Sequence, residues 1–262
     1  MERHIFKLAL FALIFSLKTI FAYSQAPSER EQLRICVWAD LDPFPGQFSV
    51  NEEDFSQKEE LPENKSADKT ESEKAGNYTE KEKMFHLLFD FAIDRTKETA
   101  PFLISGMLSG WEFEYTPLDK SRNVEEFWSF KEVEPFNPDI NHLTFHYPEV
   151  SGNKLISWVY CDRTKEQIRS YDMWNSIVHS KIHGNGSGSV EDGFEGIKEA
   201  CSNAVKNAVR EYWRTMIKNK PKEISGKVLL TGNPRIYIKE GKYIVDLDFF
   251  LETDRIVPYR YY

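Results

Sequence analysis

The 262-residue sequence has only three cysteines, Cys36, Cys161 and Cys201. Small disulfide-stabilised domains carry a much higher density of cysteine, so the chain is not a disulfide scaffold. At most one pair can form. Cys36 and Cys161 lie on predicted strands, whereas Cys201 lies on the apolar face of a predicted helix. We expect buried thiols without a bridge, and a Cys36–Cys161 disulfide is the alternative.

Positive charge is also in deficit. The chain has 34 Lys and Arg residues against 42 Asp and Glu residues, which gives a net charge of −8. Nucleic acid attracts proteins with clustered Lys and Arg, so this balance argues against a nucleic-acid partner. Long apolar runs are absent beyond the N-terminal region, and a span of the bilayer needs about 20 such residues. We therefore expect a soluble mature protein without a membrane span.

The N-terminal residues have the layout of a secretory signal peptide. Arg3, His4 and Lys7 form a basic head, and a largely apolar stretch of ten residues, LALFALIFSL, follows it. Small residues at Ala22 and Ser24 favour cleavage after Ser24. Residues 1–24 are therefore a predicted signal peptide, which predicts a secreted or periplasmic protein.

The remaining chain divides by composition. Residues 25–50 contain a predicted strand, Leu33–Ala39, in which apolar and other residues alternate. Residues 51–83 carry eleven acidic residues, six lysines and few aliphatic side chains. Such a segment cannot bury enough apolar surface to fold, so we predict disorder there. Residues 84–262 form an α+β domain, with possible halves at 84–162 and 163–262.

Apolar periodicity predicts the elements of this domain. The predicted helices start at the capping box Thr79-x-x-Glu82, at Thr99 before Phe102–Leu108, after Asp162, and at Ser189. The predicted strands are Trp111–Tyr115, Glu126–Val133, Asn141–Tyr147, Lys154–Cys161, Ile224–Leu230, Arg235–Lys239 and Lys242–Glu252. Helices beside hairpin-connected strands predict an antiparallel sheet with helices packed on one face. Two helix-plus-hairpin halves are one arrangement of this fold.

The longest predicted helix has two further features. Ala200, Ala204 and Ala208 form a ridge of small residues, which would let a sheet approach closely. Acidic residues crowd its N-terminal end and basic residues its C-terminal end, a distribution that complements the helix dipole.

The stretch GWEFEYTPLDKSRNVEEFW, Gly110–Trp128, resembles uncharacterised secreted or periplasmic proteins of spirochaetes. The resemblance covers about the middle half of the chain. It implies export and no particular activity.

The stretch HSKIHGNGSGS, residues 179–189, is the one part of the chain that suggests chemistry. We interpret its first half as the end of the helix after Asp162, where His179 and His183 would share a face within ~6 Å and could bind one zinc ion. Zinc hydrolases place a glutamate after the first histidine, but Ser180 stands there. The alternative is a pair of solvent-facing histidines beside the Val178 and Ile182 stripe.

The glycines that follow raise two further possibilities. A glycine-rich loop before a helix can bind phosphate through backbone amides. Glu191 and Asp192 put negative charge at that position, however, and no lysine follows the last glycine. We therefore interpret residues 184–189 as a flexible link between two helices.

These observations predict an exported, non-catalytic binding or scaffold protein of the cell envelope, without a cofactor. Its protein partner would contact a sheet edge or the aromatic tail Pro258–Tyr262. A metal-dependent hydrolase or metal-binding protein centred on His179 and His183 is one alternative. A carrier with a pocket for a small apolar ligand is another.

Overall fold

The computed structural model describes residues 30–41, 80–217 and 219–259, and side chains within the second range from residue 89 onward. The predicted signal peptide, 1–24, lies outside the described residues. So does the predicted disordered segment up to residue 79; its last four residues, 80–83, belong to a helix.

Three helices and nine strands make up the described residues, and the α+β class is confirmed. In chain order they are β1 (Gln32–Asp40), α1 (Glu80–Leu108), β2 (Trp111–Thr116), β3 (Phe127–Glu132), β4 (Leu143–Phe145), β5 (Glu149–Ser151), β6 (Lys154–Asp162), α2 (Lys165–Trp174), β7 (Ser180–Ser189), α3 (Phe194–Met216), β8 (Glu223–Lys239) and β9 (Lys242–Val257).

All strand pairings are antiparallel, and the strands form two sheets. The larger sheet has five strands in the order β3-β2-β8-β9-β7. The smaller sheet has the order β1-β6-β4, and β5 also pairs with β6. Strands from both predicted halves share the larger sheet, because β2 pairs with β8.

One continuous core joins the two sheets and the helices. Trp111, Phe113 and Tyr115 alternate along β2 and are almost completely buried, as their spacing predicts. Val245, Leu247 and Phe249 alternate along β9 in the same core. Helix α1 packs against both β1 and β8 and so connects the smaller sheet to the larger one.

Cys36 and Cys161 lie where a bridge between them cannot form. Cys161 pairs with Leu33 and shares its buried face of the smaller sheet, whereas Cys36 pairs with Trp158 on the opposite face. A disulfide needs Cβ atoms about 4 Å apart, which residues on opposite faces of a sheet do not reach.

Helix α1 corrects the prediction of two helices with a cap at Thr99. The helix is continuous through Pro101, and its kink lies at Phe89. The Thr99 hydroxyl donates to the carbonyl of Arg95, 2.8 Å away, as a residue within a helix does. Burial of Phe102, Leu103 and Met107 offsets the backbone hydrogen bond that the proline cannot donate.

Helix α2 begins and ends at other residues than predicted. Thr164, rather than Asp162, is its N-cap and forms a capping box with Gln167. The helix ends at Trp174, and Val178 is 81% exposed instead of lying on a buried stripe.

The stretch from Ser180 to Ser189 is strand β7, so the predicted helix end and flexible link are wrong. It pairs with β9 over its full length, from Ser180 opposite Leu251 to Ser189 opposite Lys242. Glycine disfavours a strand, because ordering it costs more backbone entropy than for any other residue. Here the contacts that the glycines allow outweigh that cost.

The glycines of β7 face α3 and let its backbone touch the strand. An added Cβ would lie 2.4 Å from the Ala204 oxygen at Gly184, 2.2 Å from the Ala200 oxygen at Gly186, and 2.0 Å from the Gly196 oxygen at Gly188. The predicted small-residue ridge of α3 is therefore confirmed as the contact surface for a sheet. The helix itself begins at Phe194 rather than Ser189, and Met216, its last residue, is 63% exposed.

Strand β8 replaces the two predicted strands on either side of Gly232–Pro234. The chain runs on from Glu223 to Lys239, with a register shift between Thr231 and Arg235. Gly232 has a φ of +72° at this bulge, a conformation that glycine adopts at little cost.

Candidate functional site: the open edge of the five-stranded sheet

The two histidines of the candidate zinc site lie on β7 or just before it, so the helical spacing behind that hypothesis is absent. Four residues along a strand span about 13 Å, too far for both rings to reach one ion. Within the described residues, no group of three or more His, Cys, Asp or Glu side chains is arranged to hold a metal. The zinc hypothesis stays a prediction, but the shared helix face on which it depended is not present.

Each histidine has contacts of its own. The His179 ring lies 4.8 Å from the Trp174 ring, and its Nδ1 lies 3.2 Å from the carbonyl oxygen of Met173. His183 lies on the outer face of the sheet, where its Nδ1 is 3.0 Å from Asp248 Oδ1. Asp248 is part of the polar face of β9, as the alternation of that strand predicts.

The aromatic tail begins against the body of the protein. The guanidinium of Arg122 lies 4.3 Å from the centre of the Tyr259 ring. Residues 260–262 lie outside the described range. At Tyr259, therefore, the tail docks on its own chain.

The five-stranded sheet has two edge strands, β7 and β3, and the edge of β7 is closed. Asn203 on α3 donates its side-chain amide to the Ser187 carbonyl at 2.9 Å. Asn207, one helical turn later, donates to the Asn185 carbonyl at 3.0 Å. These carbonyls would otherwise be open to another strand, so α3 prevents further pairing at this edge.

The opposite edge, at β3, is open. On one side β3 pairs with β2, from Phe127 opposite Thr116 to Glu132 opposite Trp111. On the other side, the described residues form no backbone hydrogen bond with it. Val133 donates to Gly110. By the alternation of an antiparallel ladder, the backbone groups of Trp128, Phe130 and Glu132 therefore point to the open edge.

Side-chain contacts hold this edge in place. The Trp128 indole donates to the Ser202 hydroxyl of α3 at 2.8 Å, and its ring stacks on Phe113 with centroids 5.7 Å apart. Glu132 accepts a hydrogen bond from Ser105 of α1. An extended segment arriving at β3 would thus meet a strand that is already ordered.

A groove of about 680 Å³ runs between β3 and the N-terminal half of α3; we call it the β3 groove. Phe102 and Phe130 form its apolar part. Its charged and polar lining residues are Lys131, Glu132, Asp192, Glu195, Lys198, Glu199 and Ser202.

The β3 groove has an excess of negative charge. Its two lysines already have carboxylate partners, since Lys131 lies 2.7 Å from Glu112 and Lys198 lies 2.8 Å from Glu195. Glu132, Asp192 and Glu199 have no such ion pair in the described part of the chain. The groove therefore favours a positively charged occupant.

Sequence reasoning identified β3 as a strand and noted the acidic start of α3, but did not connect them. The acidic residues have a sufficient local explanation in the helix dipole. Only the strand order shows that β3 is an edge and that α3 crosses beside it. The hint in the sequence is that Phe127 puts an apolar residue on the face of β3 opposite Trp128 and Phe130; in the structure it is 54% exposed.

None of the helices in the described ranges combines the length and apolar character needed to cross a bilayer.

No solved structure matches the chain. An uncharacterised protein from Treponema pallidum (strain Nichols) is 27% identical over 175 residues, which cover 63% of this chain and 70% of the relative. A protein-family model matches residues 19–259. This match covers most of the sequence, and the chain therefore belongs to that family, an uncharacterised family of spirochaete proteins.

Proposed function

We propose that this protein is an exported, non-catalytic binding protein of the cell envelope that holds an extended, basic segment of a partner protein along the open edge of β3. The observation that carries the proposal is the difference between the two edges of one sheet. The edge of β7 is closed by Asn203 and Asn207, whereas β3 is ordered and its backbone groups face outward.

Main-chain pairing would supply the affinity in this mode of recognition. A peptide that adds a strand to β3 can exchange hydrogen bonds with the backbone of Trp128, Phe130 and Glu132. Alternate side chains of the peptide would point toward the groove beside α3. There the apolar part at Phe102 and Phe130 suits a small apolar residue, and the acidic rim suits lysine or arginine.

Charge would supply selectivity. Glu132, Asp192 and Glu199 attract cations and repel a second acidic strand, which also disfavours pairing between two copies of this acidic chain. The edge is thus open to a basic partner and protected against self-association.

Binding to defined peptides tests this proposal. The probe is a labelled octapeptide in which lysine and valine take turns at alternate positions, so that both face the groove, with threonine between them; fluorescence anisotropy measures its affinity. We expect it to bind, and we expect a peptide with glutamate in place of lysine not to bind. A third peptide keeps the lysines but has proline at alternate positions, so it cannot donate the strand hydrogen bonds. It should also fail to bind.

A pair of double variants locates the site on the protein. Asp192→Asn with Glu199→Gln should weaken binding of the lysine peptide about tenfold, equivalent to ~1.4 kcal/mol. Asp94→Asn with Glu166→Gln removes the same charge from exposed positions outside the groove and should leave affinity unchanged. Equal binding of the proline or glutamate peptide, or equal effects of the two double variants, would refute the proposal.

The proposed location rests on residues 1–24 and is tested separately. N-terminal sequencing of the protein from its native cells should begin at Gln25, after cleavage behind Ser24. A protein that retains Met1 and remains in the cytoplasmic fraction would contradict export.

A further inference from the structure

A second cavity lies at the other end of α3, where the helix ends beside the edge of the sheet. This α3 cleft has a volume of about 570 Å³, within the range of small-ligand sites. Its apolar lining comprises Tyr115, Pro117, Leu118, Trp213, Ile217, Pro221 and Ile224. Its charged lining comprises Glu126, Arg210, Arg214 and Lys220.

Two hydrogen-bond donors on the lining residues have no acceptor in the described part of the chain. They are the indole Nε1 of Trp213 and the Nε of Arg210, and both atoms are buried. Arg210 Nε lies 3.6 Å from Glu211 Oε1, which is within ion-pair range but beyond hydrogen-bond distance. Buried donors are almost always satisfied, so two in one cleft point to an acceptor that arrives with a ligand.

The cleft is positively charged, although the whole chain carries −8. Among the lining residues, Arg210, Arg214 and Lys220 outnumber the single carboxylate of Glu126. Glu211, which is not part of the lining, lies 3.0 Å from Arg214 and 3.6 Å from Arg210, and a net positive charge remains when it is counted. That carboxylate already accepts from the Tyr115 hydroxyl at 3.1 Å and lies 3.7 Å from Lys206. The Glu126 carboxylate therefore already has partners within the protein.

The positive region continues beyond the cleft. An adjoining depression shares Leu118, Asn219 and Lys220 with it and adds Lys120 and Arg122. Asp119 in that depression accepts hydrogen bonds from Ser121 and Arg122. A ligand with negative charge is therefore favoured over the whole area.

From this combination we infer that the α3 cleft binds a small amphipathic anion, a carboxylate or phosphate group on an apolar body. The head group would accept hydrogen bonds from Trp213 and Arg210 and pair with Arg214. The apolar body would lie against Leu118, Ile217 and Ile224. This site is independent of the β3 groove, because the two share no lining residue.

Calorimetric titration with four defined probes tests the chemistry: decanoate, decyl phosphate, decanol and inorganic phosphate. We expect decanoate or decyl phosphate to bind at one site per chain, and whichever binds more tightly identifies the head group. Decanol and inorganic phosphate should each bind at least tenfold more weakly, since each lacks one half of the ligand. Binding of decanol as tight as that of both anions, or no binding of either anion, would overturn the inference.

Variants locate the site and separate binding from folding. Arg214→Gln, at a side chain that is 70% exposed, should fold normally and weaken decanoate or decyl phosphate binding at least fivefold. Arg210→Gln with Arg214→Gln should weaken it more than tenfold. The matched control, Lys97→Gln with Arg169→Gln, removes two exposed positive charges elsewhere and should leave affinity unchanged.

Trp213→Phe removes only the indole donor and part of the ring. Because that donor is unsatisfied without ligand, we expect the melting temperature of the ligand-free variant to change little while its affinity for the anion falls at least fivefold. Wild-type affinity in both Trp213→Phe and the double arginine variant would overturn the inference.

Discussion

Gly186 of β7 lies so close to α3 that a Cβ on this residue would be 2.2 Å from the carbonyl oxygen of Ala200. No rotation of a side chain can relieve this contact, because the obstructing atoms belong to the helix backbone. Gly188 has the same relationship to Gly196, at 2.0 Å. The strand and the helix are therefore in direct main-chain contact, and each glycine is required for it.

This contact predicts a large effect of a single methyl group. We expect Gly186→Ala and Gly188→Ala each to lower the free energy of unfolding by about 3 kcal/mol, since overpacking here forces the helix away from the sheet. A flexible link would have predicted a change of about 1 kcal/mol or less. Urea denaturation measures the difference. Ser187→Ala, on the same strand but with its side chain on the other face, should change stability by less than about 0.5 kcal/mol.

Sequence reasoning succeeded where the side chains of an element show by their spacing which face of it is buried. In β2, Trp111, Phe113 and Tyr115 show the strand period because each side chain reaches the core. On α3, Ala200 and Ala204 similarly mark the face that packs closely. Such patterns need no knowledge of the partner element.

Sequence reasoning failed where the conformation of a segment depends on contacts with a neighbouring element. β7 has no apolar alternation, because α3 occupies the space that side chains would fill at Gly184, Gly186 and Gly188. The two candidate binding sites were missed for a related reason. Each combines a part of α3 with strands distant in sequence, and strand order is not visible in a local pattern.

The amides that close the β7 edge give a second prediction. Asn203→Ala with Asn207→Ala should cost about 1 kcal/mol for each lost hydrogen bond and expose the carbonyls of Ser187 and Asn185. An exposed edge can pair with another chain, so we also expect the variant to self-associate as its concentration rises. Sedimentation velocity measures this. Glu211→Ala, an exposed change on the same helix, should remain in the state of the wild type.

The histidines give a third prediction, which also tests the zinc hypothesis. The His179 side chain is 15% exposed and packs on Trp174, whereas that of His183 is 52% exposed. His179→Ala should therefore cost about 1–2 kcal/mol and His183→Ala less than about 0.5 kcal/mol. A chelator should not change the melting temperature of the wild type or of the double variant. A chelator-induced drop confined to the wild type would show that the pair holds a metal.

The last prediction concerns Tyr115, which lines the α3 cleft. Burial in the core, together with the hydrogen bond to Glu126, raises the pKa of its phenol to about 12. In the unfolded chain a tyrosine ionises near its ordinary pKa of about 10. Between these two values the unfolded state releases a proton that the folded state retains.

Stability linked to Tyr115 is therefore fully present below pH 10 and is lost as the pH rises toward 12. We expect the free energy of unfolding of the wild type to fall more steeply over this interval than that of Tyr115→Phe, which has no proton to release. Tyr147→Phe is the matched control, because Tyr147 is 67% exposed, and its stability curve should follow that of the wild type. Urea denaturation at a series of pH values, with absorbance at 295 nm to follow phenol ionisation, measures both quantities. Parallel curves for the wild type and Tyr115→Phe would mean that the phenol is not held neutral by the fold.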